Sequence, residues 1–394
     1  MLAHTTHHAT ISAPLMLLIA VACGLIVANI YYVQPLAGPI GAALGLSATV
    51  TGLVVTLTQI GFGMGLVFIV PLGDLVENKR LVLSAIGLAS VALLGAGLAT
   101  HAMTFLGAAL CIGLGSVAVQ VLVPYVSHMA PDAIRGRVVG NVMSGVMLGI
   151  MLARPVASFI AQLVSWHAVF LLSAGAMLVV AAVLAYALPP RVPTAQLPYA
   201  GLLASMGRIA LVTPILQRRA LYHACLFAAF SLFWTTMPLW LAGPQFRLSQ
   251  GGIGLFALAG VAGAIAAPLA GRVADRGWTR GATAFAMLSC VAAFLMTRIA
   301  LHTSNHALAI LVAAAVVLDF GVAGNLTLGQ RAIFALGPEY RSRVNGVYMA
   351  TFFLGGALGS LIGGWAYALG GWAYASWVGL ALPLIALLYF STER

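Results

Sequence analysis

Charge is what this sequence has least of. Only 6% of its 394 residues are Asp, Glu, Lys or Arg, against roughly a quarter in soluble domains. Hydrophobic residues make up 62% of the chain, and the mean hydropathy is +1.07. That composition excludes a soluble globular protein and intrinsic disorder, and leaves a polytopic membrane protein.

Acid is scarcer than base. Seven Asp and Glu stand against 18 Lys and Arg, a net charge of +11. Such an excess can mark nucleic-acid binding. Here the basic residues fall in short clusters between apolar runs, which is the distribution of cytoplasmic loops, so nucleic acid is excluded as a partner. Lysine occurs once, as Lys79 in "ENKR", which is no phosphate-binding loop. HExxH and GxSxG are missing as well. An ATP-driven pump is therefore excluded, a membrane-embedded enzyme is a remote alternative, and neither cofactor nor metal is expected. Cysteine is limited to Cys23, Cys111, Cys225 and Cys290. All lie in apolar stretches without a CxxC, as small buried hydrophobes do. The N-terminus lacks Lys, Arg and a small-residue cleavage site, so a retained first span is expected rather than a signal peptide. His4, His7 and His8 precede it in what reads as a flexible tail.

What is present is a series of apolar runs, each near the 20 residues a span requires. Twelve spans are predicted, at about 13–36, 48–71, 81–100, 104–126, 138–164, 168–188, 219–242, 251–273, 282–301, 307–329, 344–366 and 373–391. The one long connection, 189–218, is rich in proline. It divides an N-terminal half (1–188) from a C-terminal half (219–394), with the connection as a cytoplasmic linker. Loop charges place both termini in the cytoplasm of a cell with the protein in its inner membrane. The halves repeat. "RGRVVGNVM" at 135–143 aligns with "RSRVNGVYM" at 341–349, an offset of 206 that also pairs Gly149 with Gly355 and Trp166 with Trp372. Two related six-span halves with a midplane site between them suit a secondary transporter. Gly145 and Gly149, and Gly355, Gly359 and Gly363, make small-residue faces. These either slide between the halves or pack statically.

"GRVADRGWTR" (271–280) resembles the loop motif Gly-x-x-x-Asp-Arg-x-Gly-Arg-Arg of the major facilitator superfamily. "PLGDLVENKR" (71–80) sits where the first copy belongs. It keeps Asp74, Lys79 and Arg80, but lacks the leading Gly, the Arg after the Asp and the following Gly. "NIYYVQPLAGPIGAALGLS", "GVMLGIMLARPVASFIAQLVSW" and "RSRVNGVYMATFFLGGALGS" are similar to a bacterial branch of sugar or drug efflux permeases. The resemblance spans essentially the whole chain. It implies an all-α membrane protein of twelve transmembrane helices in two pseudo-symmetric six-helix bundles, and proton-coupled export of a small organic molecule. An uncoupled facilitator or an importer is the alternative. By the same resemblance, Asp74, Lys79, Arg80, Asp275, Arg276 and Arg280 belong to a cytoplasmic gate. Two patterns depart from it. The fourth-span Arg of proton antiporters would fall near Ala109, and the fifth-span pattern survives only as "GIMLARPVAS".

Asp319 is the one acid placed deep in a span, about 12 residues or roughly 18 Å from its start. A charge there costs at least ~2.5 kcal/mol, and desolvation favours the neutral acid. It is a candidate for the coupling proton, for a cationic substrate or for a structural partner. Arg154, the one base placed well inside a span, could pair with Asp319 in one state, bind an anionic substrate, or support the helix broken by Pro155. Asn29, Tyr31, Tyr32 and Gln34 cluster on the first span as candidate substrate contacts. Gln59, Gln120, Trp234, Asn325 and Gln330 line the cavity or hold helices together. His167 and His223 are read as span-end residues. The expected partners are a small-molecule substrate, protons and the lipid bilayer, with the chain acting as a monomer.

Overall fold

A computed structural model describes residues 13–47, 49–193, 198–302, 306–337 and 341–393. The N-terminal histidines His4, His7 and His8 lie outside the described residues. The described chain is helical throughout, as its low charge and long apolar runs require. Its first half holds α1 (Ala13–Ala28), α2 (Val33–Ala43), α3 (Leu53–Phe68), α4 (Asn78–Gly97), α5 (Ala102–Ser116), α6 (Ala118–Met129), α7 (Asp132–Leu163) and α8 (Trp166–Ala187). Then come α9 (Tyr199–Val212), α10 (Pro214–Ala242), α11 (Gln250–Ala257), α12 (Gly263–Asp275), α13 (Thr279–Leu301), α14 (Ala307–Phe334) and α15 (Arg341–Ser391).

Ten helical stretches among the described residues are long and apolar enough to cross a membrane. The bent pair α1–α2, with a 40° break, forms a further one. The 51-residue α15 contains two. Unbroken, it would run about 76 Å, more than twice a ~30 Å hydrocarbon core. Instead the backbone leaves the helix at Gly370 and Gly371, where Gly371 takes φ +60° and ψ −154°. That conformation is open to glycine alone, so the chain reverses there. The result is the expected twelve crossings.

Helix ends differ from the sequence expectation where charged residues are neutralised. α10 starts at Pro214 rather than near 219, because Arg219 is buried: its Nη2 bonds Glu393 Oε1 at 2.9 Å and its Nη1 bonds Thr283 Oγ1 at 3.0 Å. α14 runs on to Phe334 and carries Arg331, which is paired with Asp275. Arg154 is therefore not the only basic residue within a long helix.

The glycine faces pack within each six-helix bundle rather than sliding between the two. Gly24 of α1 lies against the backbone of Gly145 and Gly149 on α7. Gly355 and Gly359 of α15 lie against Ala224 and Ala228 on α10. A Cβ at these points would meet backbone, so the small residues are what allow the helix axes to approach.

The two bundles meet along α3 and α15, where Thr56 Oγ1 and Ser360 Oγ lie 2.8 Å apart and Gln59 Nε2 donates to Ser231 Oγ of α10 at 2.9 Å. At the end opposite the described C-terminus, Gln250 Nε2 donates to Pro35 O at 2.8 Å, and the Gly251 N–H to Gln162 Oε1 at 3.0 Å. At the other end the linker bridges them. Tyr199 donates to Phe68 O at 2.8 Å, and Arg343 to Ser205 Oγ at 3.3 Å.

Candidate functional site

Two helix breaks frame the polar centre. Residues 29–32 separate α1 from α2 ahead of Pro35, and a 3-10 segment, Leu258–Ala262, separates α11 from α12. Backbone at membrane depth leaves the α-helix only where protein or a cavity can satisfy it. Both breaks face Arg154 of α7 and Asp319 of α14.

Asp319 is 5% exposed and Arg154 2% exposed. Asp319 Oδ1 accepts the indole N–H of Trp234 at 2.9 Å. Arg154 Nε donates to Gln34 Oε1 at 2.6 Å. The guanidinium lies over three rings, at 4.3 Å from Trp234, 5.0 Å from Phe230 and 5.4 Å from Tyr31. The two charged groups are neighbours that bond to others. They meet across Gly260, where an added Cβ would stand 2.7 Å from Asp319 Oδ2, 3.1 Å from Arg154 Nη1 and 3.4 Å from Trp234 Cζ2.

Of the first-span cluster, Tyr31 and Gln34 reach this centre. Asn29 accepts from Ser173 Oγ of α8 at 2.6 Å. Tyr32 instead lines an apolar groove of about 380 Å³ between α1 and α7. Gln59 is tied to Ser231, as described above. Asn325 Nδ2 lies 3.0 Å from His223 Nδ1. Gln120 is half-buried on α6, outside these contacts. Gln330 Nε2 donates to Asn345 Oδ1 at 3.3 Å.

His223 is a correction. It is not a span-end residue but fully buried inside α10, stacked on Phe352 at 4.5 Å and Tyr348 at 5.5 Å. Phe230 and Gly260 were not singled out in the sequence. No local signal separates them from the other aromatics and glycines of the apolar runs.

The loop residues divide. Asp275 pairs with Arg331 of α14 rather than with its own neighbours Arg276 and Arg280. Arg280 Nη2 donates to Glu393 O at 2.6 Å, and Arg276 is exposed. Arg80 pairs with Glu77 at 2.6 Å, and Lys79 is half-buried beside it. Asp74 shares a small cleft with Arg343 and with Leu202 and Met206 of the linker helix.

The family model described as Major Facilitator Superfamily matches residues 16–305 and 220–394. An uncharacterized transporter YgaY of Escherichia coli O157:H7 is 40% identical over 364 residues, covering 90% of this chain and 91% of that protein. The probable transporter SCO4007 of Streptomyces coelicolor is 33% identical over 356 residues, covering 89% and 80%. Among solved structures, a bacterial homolog of the human lysosomal transporter Spinster, inward-facing and unoccupied, superposes with a TM-score of 0.72 at 15% identity, covering 95% of both chains. A mutant of the nucleoside transporter NupG gives 0.78 at 13%, covering 96% and 99%. The chain is a membrane transporter and belongs to the major facilitator superfamily.

Proposed function

We propose that this transporter moves a small organic molecule by alternating access, coupled to protons at Asp319, with Arg154 as the partner whose contact with Asp319 changes between states. One observation carries the reading: a buried acid and a buried base face each other across Gly260 without bonding, each held by a different neighbour. Such a pair offers two arrangements. In one, Arg154 holds the carboxylate. In the other, Asp319 carries a proton and Arg154 stays with Gln34. A coupling site needs two states that proton and cargo can bias.

Tyr31, Gln34 and Trp234 are assigned to cargo contact, with Asn29 and Tyr32 behind them. Gln59 and Asn325 are assigned to holding helices, since each already has a buried partner. Asp74, Lys79, Arg80, Asp275, Arg276 and Arg280 form a cytoplasmic gate, with Asp275–Arg331 holding α12 to α14 inside the second bundle. Both termini face the cytoplasm, and the chain acts as a monomer of two halves joined by the 189–218 linker. Resemblance to efflux permeases favours export of a sugar- or drug-like molecule. In exchange an inward proton gradient drives export, and in co-transport export needs an outward cargo gradient larger than the inward proton gradient. In exchange, cargo displaces the proton; in co-transport, the two bind together. Uptake or uncoupled facilitation is the alternative.

The test is proton movement in inside-out vesicles, wild type beside Asp319→Asn, across sugars, drugs, amino acids and organic acids. Cargo-triggered proton movement is expected in wild type and absent in the variant. Its sign separates exchange from co-transport. Cargo crossing equally in both proteins would make Asp319 structural.

A further inference from the structure

The proton-coupling reading leaves the cargo's chemistry open, and the unsatisfied groups of the site bear on it. Arg154 Nη2 and Gln34 Nε2 are both buried without a hydrogen-bond partner. Gln34 is fully buried. An orphaned buried donor is costly, more so on a charged group. Both donors belong to one hydrogen-bonded pair, because Arg154 Nε is already bonded to Gln34 Oε1. Trp234, Phe230 and Tyr31 lie around the guanidinium at cation–π range, and such rings take the face of the plane. The N–H groups at its edge donate to planar, two-oxygen partners.

Resting on the reading of Arg154 and Asp319 as the transport site, we propose that the cargo is an amphipathic organic anion. Its carboxylate, or an equivalent two-oxygen group, seats on Arg154 and Gln34, its apolar body lies against Tyr31, Phe230 and Trp234, and it travels with a proton on Asp319. The sign of the coupling follows from charge. Empty, the site holds one guanidinium and one carboxylate. A second carboxylate would leave a buried net negative charge, and a proton on Asp319 removes it. Cargo and proton therefore bind together, which is co-transport.

Among the described residues, the other titratable groups within electrostatic reach of Asp319 are Tyr31 of the α1–α2 break and Cys290 of α13. His223 of α10 is joined to the same helix as Asp319 through Asn325. Tyrosine and cysteine are ordinarily neutral below pH 8, and arginine stays charged. Asp319 is thus the group that changes, and His223→Gln is the control for the histidine.

The experiment measures thermal unfolding of the purified full-length protein with matched probes: benzoate and benzamide, 3-phenylpropionate and its amide, and benzylamine, at pH 6 and pH 8. The acids should raise the unfolding midpoint, more at pH 6 than at pH 8, while the amides and the amine should not. Arg154→Gln should weaken acid binding roughly ten- to hundred-fold, Arg154→Lys should keep part of it, and His223→Gln should leave the pH dependence intact. Asp319→Asn should bind acids at pH 8 as wild type does at pH 6. The proposal falls if amides or the amine stabilise as well as the acids. It also falls if the acids shift neither wild type nor Asp319→Asn, or if acid binding survives Arg154→Gln unchanged.

Proteoliposomes separate this inference from the reading beneath it. Proton-linked movement of a neutral or cationic cargo would overturn the anion site and keep Asp319. Acid transport through Arg154 with no proton uptake above protein-free liposomes would keep the anion site and overturn the coupling.

Discussion

Between Asp319, Arg154 and Trp234 there is room for the hydrogen of Gly260 and little else. A methyl group there would press on the free oxygen of the acid and the nearest nitrogen of the base. Both are ends of side chains, so the fold can accommodate it while the site cannot stay in this arrangement. Gly260→Ala is expected to insert in normal amount and to lower proton-linked transport at least roughly ten-fold, since the displaced contacts involve charged groups worth about 1.5–3 kcal/mol each. Vesicle assays normalised to protein amount measure this. At this scale the sequence was informative wherever a charge interrupted an apolar run. Asp319 and Arg154 stood out for that reason, and both lie at the centre. Gly260 is one of 44 glycines, and nothing local distinguishes it. His223 was misplaced because a neighbouring Arg218–Arg219 pair reads as a span end. Glu393 neutralises Arg219 from the far end of the chain, so the helix begins earlier and buries the histidine.

At the scale of elements, the breaks matter more than the helices. The α1–α2 break and the 3-10 segment before α12 bring Tyr31, Gln34 and Gly260 to the two charged residues. The break in α15 acts differently, turning one continuous run into two crossings. Gly370 and Gly371 carry it, and Gly371 does so at a φ that other residues rarely adopt. Gly371→Ala is expected to destabilise the protein by about 1–3 kcal/mol, read as a lower unfolding midpoint and a lower yield of inserted protein, with cargo preference unchanged. The glycine faces were legible as close-packing surfaces from their four-residue spacing. Which helix each one meets was not, because spacing fixes a face and not its partner. α7 meets α1, and α15 meets α10, so both faces stiffen a bundle.

For the whole molecule, the bundles must move against each other if the reading of alternating access holds. Thr56 of α3 and Ser360 of α15 touch through their hydroxyls across the bundle boundary. In a background lacking the four native cysteines, Thr56→Cys with Ser360→Cys is expected to crosslink on mild oxidation. Transport should then stop, and reduction should restore it. Full crosslinking with unimpaired transport would rule out opening at this contact. The C-terminal residues add a second whole-molecule feature: Glu393 joins Arg219 of α10 to Arg280 of α13, bracing the same end of the second bundle that carries Asp275–Arg331.

The sequence by itself determined that the chain spans a membrane many times, because 62% apolar residues and 6% charged ones leave no soluble alternative. It also determined where most spans lie, because the cost of burying charge confines charged residues to loops unless a partner waits inside. Only the tertiary structure decided which of the exceptions meet. Arg154 and Asp319 lie in different halves of the sequence, and whether they face one another depends on the rotation of α7 and α14 about their axes. Packing against α1, α10 and the broken α11–α12 segment sets that rotation. The unsatisfied donors of Arg154 and Gln34 are decided at the same level, since a donor is orphaned by what surrounds it.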